Sequence, residues 1–257
     1  MIISRDQLDE LFGKRHLSYS SLKYAIGDMK LWDMYMRGQL RKETEALSFG
    51  NLYDELLFDR SAAMNKYVVI DEKKILEEVG AKNRSSKDFK DRLAQIKTGM
   101  KPGQVNVQPE DWYMANEMID RIHESGLAML RLNGDYQVEF NVEILGIPVK
   151  GFVDCLNPDS IVDSKTTKSI KSFKYSVFDF GYDIQAYLYT SVFDIKDFYW
   201  LAQEKTFPYL PADIKCTPET LFSGEMRVDL AIRNIAKYLN DEHLRKNPCK
   251  YYESFSV

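Results

Sequence analysis

The chain has 257 residues, 44% of them hydrophobic and 13% aromatic, enough to bury a sizeable core as one globular domain without disulfide support. Its three cysteines, Cys155, Cys216 and Cys249, stand far apart, which excludes a paired-cysteine zinc site and the four ligands an iron–sulfur cluster needs. A formal charge of -4 excludes a protein that coats nucleic acid by bulk charge, and with no long apolar run and no apolar core in the opening "MIISRDQLDELFGKRH" the expectation is a soluble intracellular chain that crosses no membrane.

In chain order, "LSYSSLKYAIGDMKLWDMYMRG" predicts a helix capped by Ser18 or Ser20, with Leu22, Ile26, Met29 and Trp32 on one face. After a charged link, "LSFGNLYDELLF" predicts a second, with Leu52, Leu56 and Leu57 inward. Residues 80–107 are polar, carry Gly99, Pro102 and Gly103, and read as a mobile loop or arm. Between Lys82 and Lys101 this stretch holds seven basic residues against two acids, a local patch able to attract phosphates or simply a solvated face. "PEDWYMANEMIDRIHESGLAMLRL" predicts a longer helix that buries Trp112, Met118, Ile122 and Leu130.

From Tyr136 the period changes to two. "YQVEFNVEI" sets Val138, Phe140 and Val142 against Gln137, Glu139 and Asn141, the pattern of a half-buried strand. "IPVKGFVDC" and "SIVDSK" follow as strands across the turn "LNPD". Helical stretches through "SIKSFKYSVFDF" and "YDIQAYLYTSVF", a strand "DFYWLAQEK", a proline-containing loop and a last helix "MRVDLAIRNIAKYLN" complete the chain. The expected fold is therefore one α/β domain over 1–257. A mainly helical part, 1–132, precedes an α/β core, 133–257, built on a short mixed sheet flanked by helices.

The chemistry concentrates in "GFVDCLNPDSIVDSKTTKS", where one strand-like run ends in Asp154 and the next carries Asp163 two residues before Lys165. In an extended chain residues i and i+2 share a face, so Asp163 and Lys165 project together. If the strands are neighbours, Asp154 comes close to Asp163, and two crowded carboxylates are most simply relieved by a divalent cation. A nearby ammonium can then position water or meet charge on a phosphate. An isolated Asp-X-Lys is by itself more often a surface ion pair, and Asp154 could simply close the turn.

Taken jointly, "GFVD", "IVDSKTT" and, further on, "QAYLY" with Gln185 and Tyr189 at i,i+4 resemble the PD-(D/E)XK nuclease superfamily, and more closely its RecE (exonuclease VIII), lambda-exonuclease and RecB-like branch. "LSYSSL" and "LSFGNLYDELLF" resemble that branch's N-terminal helices, so the likeness runs from about residue 17 to 240. The family usually has Glu-X-Lys or Asp-X-Lys, of which this chain carries the second, a tolerated variant, and it has Asp54 where many members carry a histidine four residues after the Phe-Gly.

The resemblance implies a restriction-endonuclease-like core and a Mg2+-dependent (or Mn2+-dependent) DNA exonuclease. Asp154, Asp163 and Lys165 would be catalytic. Asp154, Asp163 and the backbone carbonyl of Ser164 would hold the metal, with Asp54 and Glu139 as further candidate ligands. Gln185 and Tyr189 would contact DNA or buttress the site, and Lys168, Lys171 and Lys174 would hold backbone phosphates. It further implies 5′-to-3′ digestion of duplex ends in phage-type recombination, a ring-shaped homo-oligomer, a single-strand annealing protein as partner, and the cytoplasm of a bacterial or phage-infected cell. The alternatives are a RecB- or Cas4-like structure-specific nuclease without an iron–sulfur cluster, and a non-catalytic DNA-binding protein of the same fold. His16, His123 and His243 lie in no metal-ligand spacing.

Helical spacing at Asp54 would align it with Gly50 and Phe58, the bare Gly50 allowing this turn to approach another surface closely.

Overall fold

The computed structural model of the chain describes residues 5–13, 15–40, 44–144 and 147–246, so Cys249 lies outside the described residues. The N-terminal part is helical because each apolar run starts on a side-chain cap. After α1 (Arg5–Phe12), Ser18 and Ser21 form a reciprocal cap that starts α2 (Tyr19–Gly27). Asp28 then closes α2 in an extended conformation and caps α3 (Met29–Met36) through the Lys30 and Leu31 amides, so the single helix expected here is two. Thr44 caps α4 (Glu45–Phe58), and α5 (Arg60–Lys66) follows. Leu52 and Leu56 are buried as expected, with Leu57 partly so.

Residues 80–107 are ordered, contrary to expectation. After β1 (Tyr67–Val69) and α6 (Glu72–Glu78), Ser86 caps α7 (Lys87–Thr98), and β2 (Val105–Val107) pairs in parallel with β1. Ile70, Ile75 and Phe89 form a small satellite core beneath this lobe, while Arg84 and Arg92 are neutralised by Glu72 and Glu78. Phe89, Leu93 and Ile96, at i, i+4 and i+7 behind the Ser86 cap, are a helical signal that the surrounding charge and Gly99, Pro102 and Gly103 obscure. α8 (Pro109–Glu124) buries Met118 and Ile122, but Gly126 in the left-handed conformation turns the chain into α9 (Leu127–Arg131), which leaves Leu130 exposed rather than buried.

Five strands form the main sheet: β3 (Asp135–Ile144), β4 (Ile147–Leu156), β5 (Ser160–Thr167), β6 (Asp197–Glu204) and β7 (Pro211–Lys215), adjacent in that order. All pairings are antiparallel except β5 with β6, whose parallel crossover is made by a 3-10 turn (Ile170–Ser172), α10 (Phe173–Asp179) and α11 (Tyr182–Phe193). β7 occupies the stretch expected to be loop, where five residues with a leading proline make an edge strand. α12 (Pro218–Asn240) and α13 (Glu242–Lys246) end the described chain.

Helices cover both faces of the sheet. One core joins α2, α3, α11 and α12 to Val153, Ile161, Phe198 and Trp200, and the other joins α4 and α8 to Cys155, Val162, Tyr199 and Leu201. The helical part therefore supplies layers to the sheet, as the α/β expectation requires.

Candidate active site

The β4–β5 ladder is short: its last pair is Cys155 with Val162, so Asp154 and Asp163 stand where the two strands part. A second interruption re-aims Asp154. Tyr136 pairs with Cys155 and Val138 with Val153, but the intervening pair of Gln137 with Asp154 is missing, and Gln137 takes φ +51°. Across this break β4 switches faces, since Val153 packs in the core under α11 and Cys155 in the core under α4. A regular strand would put both on one side. Asp154 thereby turns toward β5, where its Oδ2 accepts the Ser164 amide at 2.9 Å and its Oδ1 accepts Gln137 Nε2 at 3.3 Å.

Asp163 is 1% exposed. Gln185 Nε2, from α11, donates to its Oδ1 at 2.7 Å, and its Oδ2 is paired with the Lys165 ammonium. Lys165 Nζ also donates to the Ser164 carbonyl at 3.2 Å and lies 5.0 Å from the Tyr182 ring centroid. Asp54 reaches the same centre from α4, on the opposite face, beside Tyr53, whose hydroxyl is fixed by a 2.7 Å bond to Gln203 Oε1. An added Cβ at Gly50 would meet nothing within 4 Å, so the close approach expected at that turn is absent.

The electrostatics follow from crowding acids away from water. Burial pushes the Asp163 carboxyl up to about 7, opposed by Lys165 and assisted by the charge of Asp154. Burial, and then the charge of Asp154, carries Asp54 well above the usual carboxylate range; burial also raises Asp154. Burial alone would lower Lys165, yet Asp163 and Asp154 hold it well above the ordinary lysine value. Three acids thus share one ammonium.

Among the described residues no three His, Cys, Asp or Glu side chains stand at metal-ligating distances. Protein donors already occupy the acids' oxygens: Lys165 pairs with Asp163, and Gln137 and the Ser164 amide bond Asp154. The donor set nevertheless fits a hard divalent cation. It is all oxygen, its acids are held in mutual repulsion, and Gln185 Oε1 and Ser164 Oγ are buried there without hydrogen-bond partners.

The sequence-derived residues divide accordingly. Asp154, Asp163, Ser164, Lys165, Gln185 and Asp54 converge. Glu139 does not: it faces Phe152 across the ladder, exposed, and pairs with Lys150 at 2.5 Å. Tyr189 is buried against Gly151, its ring edge-on to Phe140 at 5.2 Å, and Gln185 is likewise buried. Of the two roles the resemblance implied for this pair, buttressing is the one such burial supports. Lys168, Lys171 and Lys174 are exposed along the segment after β5.

Sequence reasoning missed Gln137 and Tyr182. Tyr182 is one helical turn before Gln185, a spacing that could have found it; nothing in an alternating strand marks Gln137. A cleft of ≈ 670 Å³ opens between the chain before α2 and β4, lined in part by Arg15, His16, Tyr35, Lys150, Phe152 and Tyr189, and none of the acids lines it.

A family model described as a PDDEXK-like domain of unknown function (DUF3799) matches residues 28–253. A protein from Eubacterium rectale, provisionally named an exonuclease, has a similar structure over 100% of this chain and 96% of its own, with a TM-score of 0.60 and 19% identity, a likeness of fold. A further solved structure, SSO0001, aligns with 77% of this chain and 90% of its own at a TM-score of 0.31 and 15% identity. No curated protein matches the sequence.

Proposed function

This chain belongs to the PDDEXK-like DUF3799 family, and from that premise we propose that it is a metal-dependent deoxyribonuclease that hydrolyses phosphodiester bonds. The observation that carries the reading is the meeting of Asp154, Asp163 and Lys165 where β4 and β5 part, with Gln185 bonded to Asp163. Their burial at a strand fork, with each charge perturbed by the others, suits attack on a phosphodiester better than a surface ion pair.

Asp154, Asp163, the Ser164 carbonyl and Asp54 would hold Mg2+ or Mn2+, which when bound supplies Lewis-acid stabilisation of phosphate charge and a more acidic water. The remaining work falls to the chain. Gln185 fixes the Asp163 carboxylate through Oδ1, leaving Oδ2 to face Lys165. Lys165 Nζ, held charged by the two acids, orients the attacking water and donates to a non-bridging phosphate oxygen. Gln137 and the Ser164 amide keep Asp154 turned inward. Exposed Lys168, Lys171 and Lys174 hold flanking phosphates.

Finer features follow the RecE and lambda-exonuclease resemblance: 5′-to-3′ exonucleolytic digestion of duplex DNA ends in phage-type recombination, 5′-phosphate and 3′-hydroxyl products, a ring assembly and an annealing protein that receives the exposed strand. The test is to incubate linear, nicked and closed circular duplex DNA with Mg2+ and with EDTA. Loss of linear DNA alone, in Mg2+ alone, is the expected result. Cutting of closed circles would replace the exonuclease with an endonuclease, and binding without cutting would leave a non-catalytic DNA-binding protein.

A further inference from the structure

A second cation stands near Lys165, outside the catalytic set. Lys23, half-buried on α2, holds its ammonium 5.8 Å from the Tyr19 ring centroid and 5.5 Å from that of Tyr24. Among the described residues no carboxylate lies within ion-pairing distance of it. Burial and then the charge of Lys165 push its pKa down.

The stem of Lys23 lies against Gly181, which takes φ +74° and where an added Cβ would come 3.3 Å from Lys23 Cβ. Gly181 thus seats the segment Phe180–Tyr182 directly on Lys23. Tyr182 faces Lys165, and Phe180 continues outward from it: the two rings are 5.7 Å apart at 45°, and Phe180 is 52% exposed. Lys165, Tyr182 and Phe180 therefore run from the reacting centre to solvent, with Lys23 alongside.

We propose that Lys23 and Phe180 form a subsite for one unpaired nucleotide beside the scissile bond, Lys23 taking its phosphate and Phe180 stacking on its base. An exposed ring on the segment seated against the stem of Lys23, whose ammonium has no carboxylate partner among the described residues, offers a nucleotide's two halves an apolar face and a cation. A base inside a duplex is covered on both faces by its neighbours, so the strand must be unpaired where Phe180 meets it. The inference rests on the nuclease reading and adds to it the form of the substrate beside Lys165.

Binding of a fluorescent single-stranded oligonucleotide to the full chain tests it, in an Asp163→Asn background with EDTA so that cleavage plays no part. Lys23→Met should weaken binding and reduce the slope of log K against log salt by about 0.7, the share of one phosphate contact, whereas Lys23→Arg should keep the slope. Phe180→Ala should weaken binding roughly 5- to 100-fold with an unchanged slope. That loss should vanish when a single abasic residue, moved along the oligonucleotide, reaches the stacked position. Blunt duplex binding should not respond to Phe180→Ala. An unaltered slope in Lys23→Met, or a Phe180→Ala loss that no abasic position removes, would overturn the subsite and leave the nuclease reading standing. If the parent protein bound the duplex but no single-stranded oligonucleotide, the subsite would fall and the nuclease reading, tested separately by cleavage in Mg2+, would stand.

Discussion

Asp163, wedged between Lys165 and Gln185 at 1% exposure, can carry its charge only at a cost while no second cation is beside it. Its folded-state pKa, about 7, lies above the ordinary carboxylate value, so its contribution to stability is fully present below that ordinary value and is lost as pH rises through about 7. The metal-free protein should therefore melt at a lower temperature at pH 8 than at pH 5. Mg2+ should restore the midpoint at pH 8, and Asp163→Asn should flatten the pH dependence while leaving the midpoint unchanged or higher. A calorimetric profile for the parent that does not change between those pH values would show that Asp163 is not under the strain described. At this scale the sequence displayed Asp154, Asp163, Lys165 and Gln185 by type and spacing. It could not display the role of Gln137, because the missing pair with Asp154 and the switch of faces depend on how β3 and β4 lie together.

Helix α4 shows how an element can serve the site from the far side of the sheet. Tyr53, buried and bonded to Gln203 of β6, pins the helix, and Asp54 one residue on lies within the field of Asp154, Lys165 and Asp163. An imidazole replaced by a carboxylate makes the donor set all oxygen, which favours Mg2+ over metals that prefer nitrogen. Asp54→Ala should move the Mg2+ requirement for cleavage into the high millimolar range or abolish cleavage, and Asp54→His should shift preference toward Mn2+. An unaltered Mg2+ titration in Asp54→Ala would reduce α4 to scaffold. Other elements were harder to read. Asp28 sits inside one continuous helical pattern, and its double duty, ending α2 and capping α3, depends on an extended backbone that periodicity does not report. The lobe at α6–α7 is obscured because its apolar residues, Ile75, Phe89, Leu93 and Ile96 among them, form short periodic runs inside a strongly charged stretch.

For the molecule as a whole, the strand alternation from Tyr136 and the helix between β5 and β6 were enough to anticipate helices packed on a short mixed sheet. What the alternation could not supply was how the N-terminal helices divide, α2 and α3 to one face and α4 to the other, so that residues far apart in the chain close around one fork in the sheet. That convergence is the central claim, and the rate of digestion of end-labelled linear duplex DNA at saturating Mg2+ tests it most directly in Asp163→Asn and Lys165→Ala, each first shown to be folded by its unfolding midpoint. Both should lose cleavage by at least about a thousand-fold, the scale of removing a preorganised charge from a reacting centre. Cleavage within a few-fold of the parent in either folded variant would contradict the account.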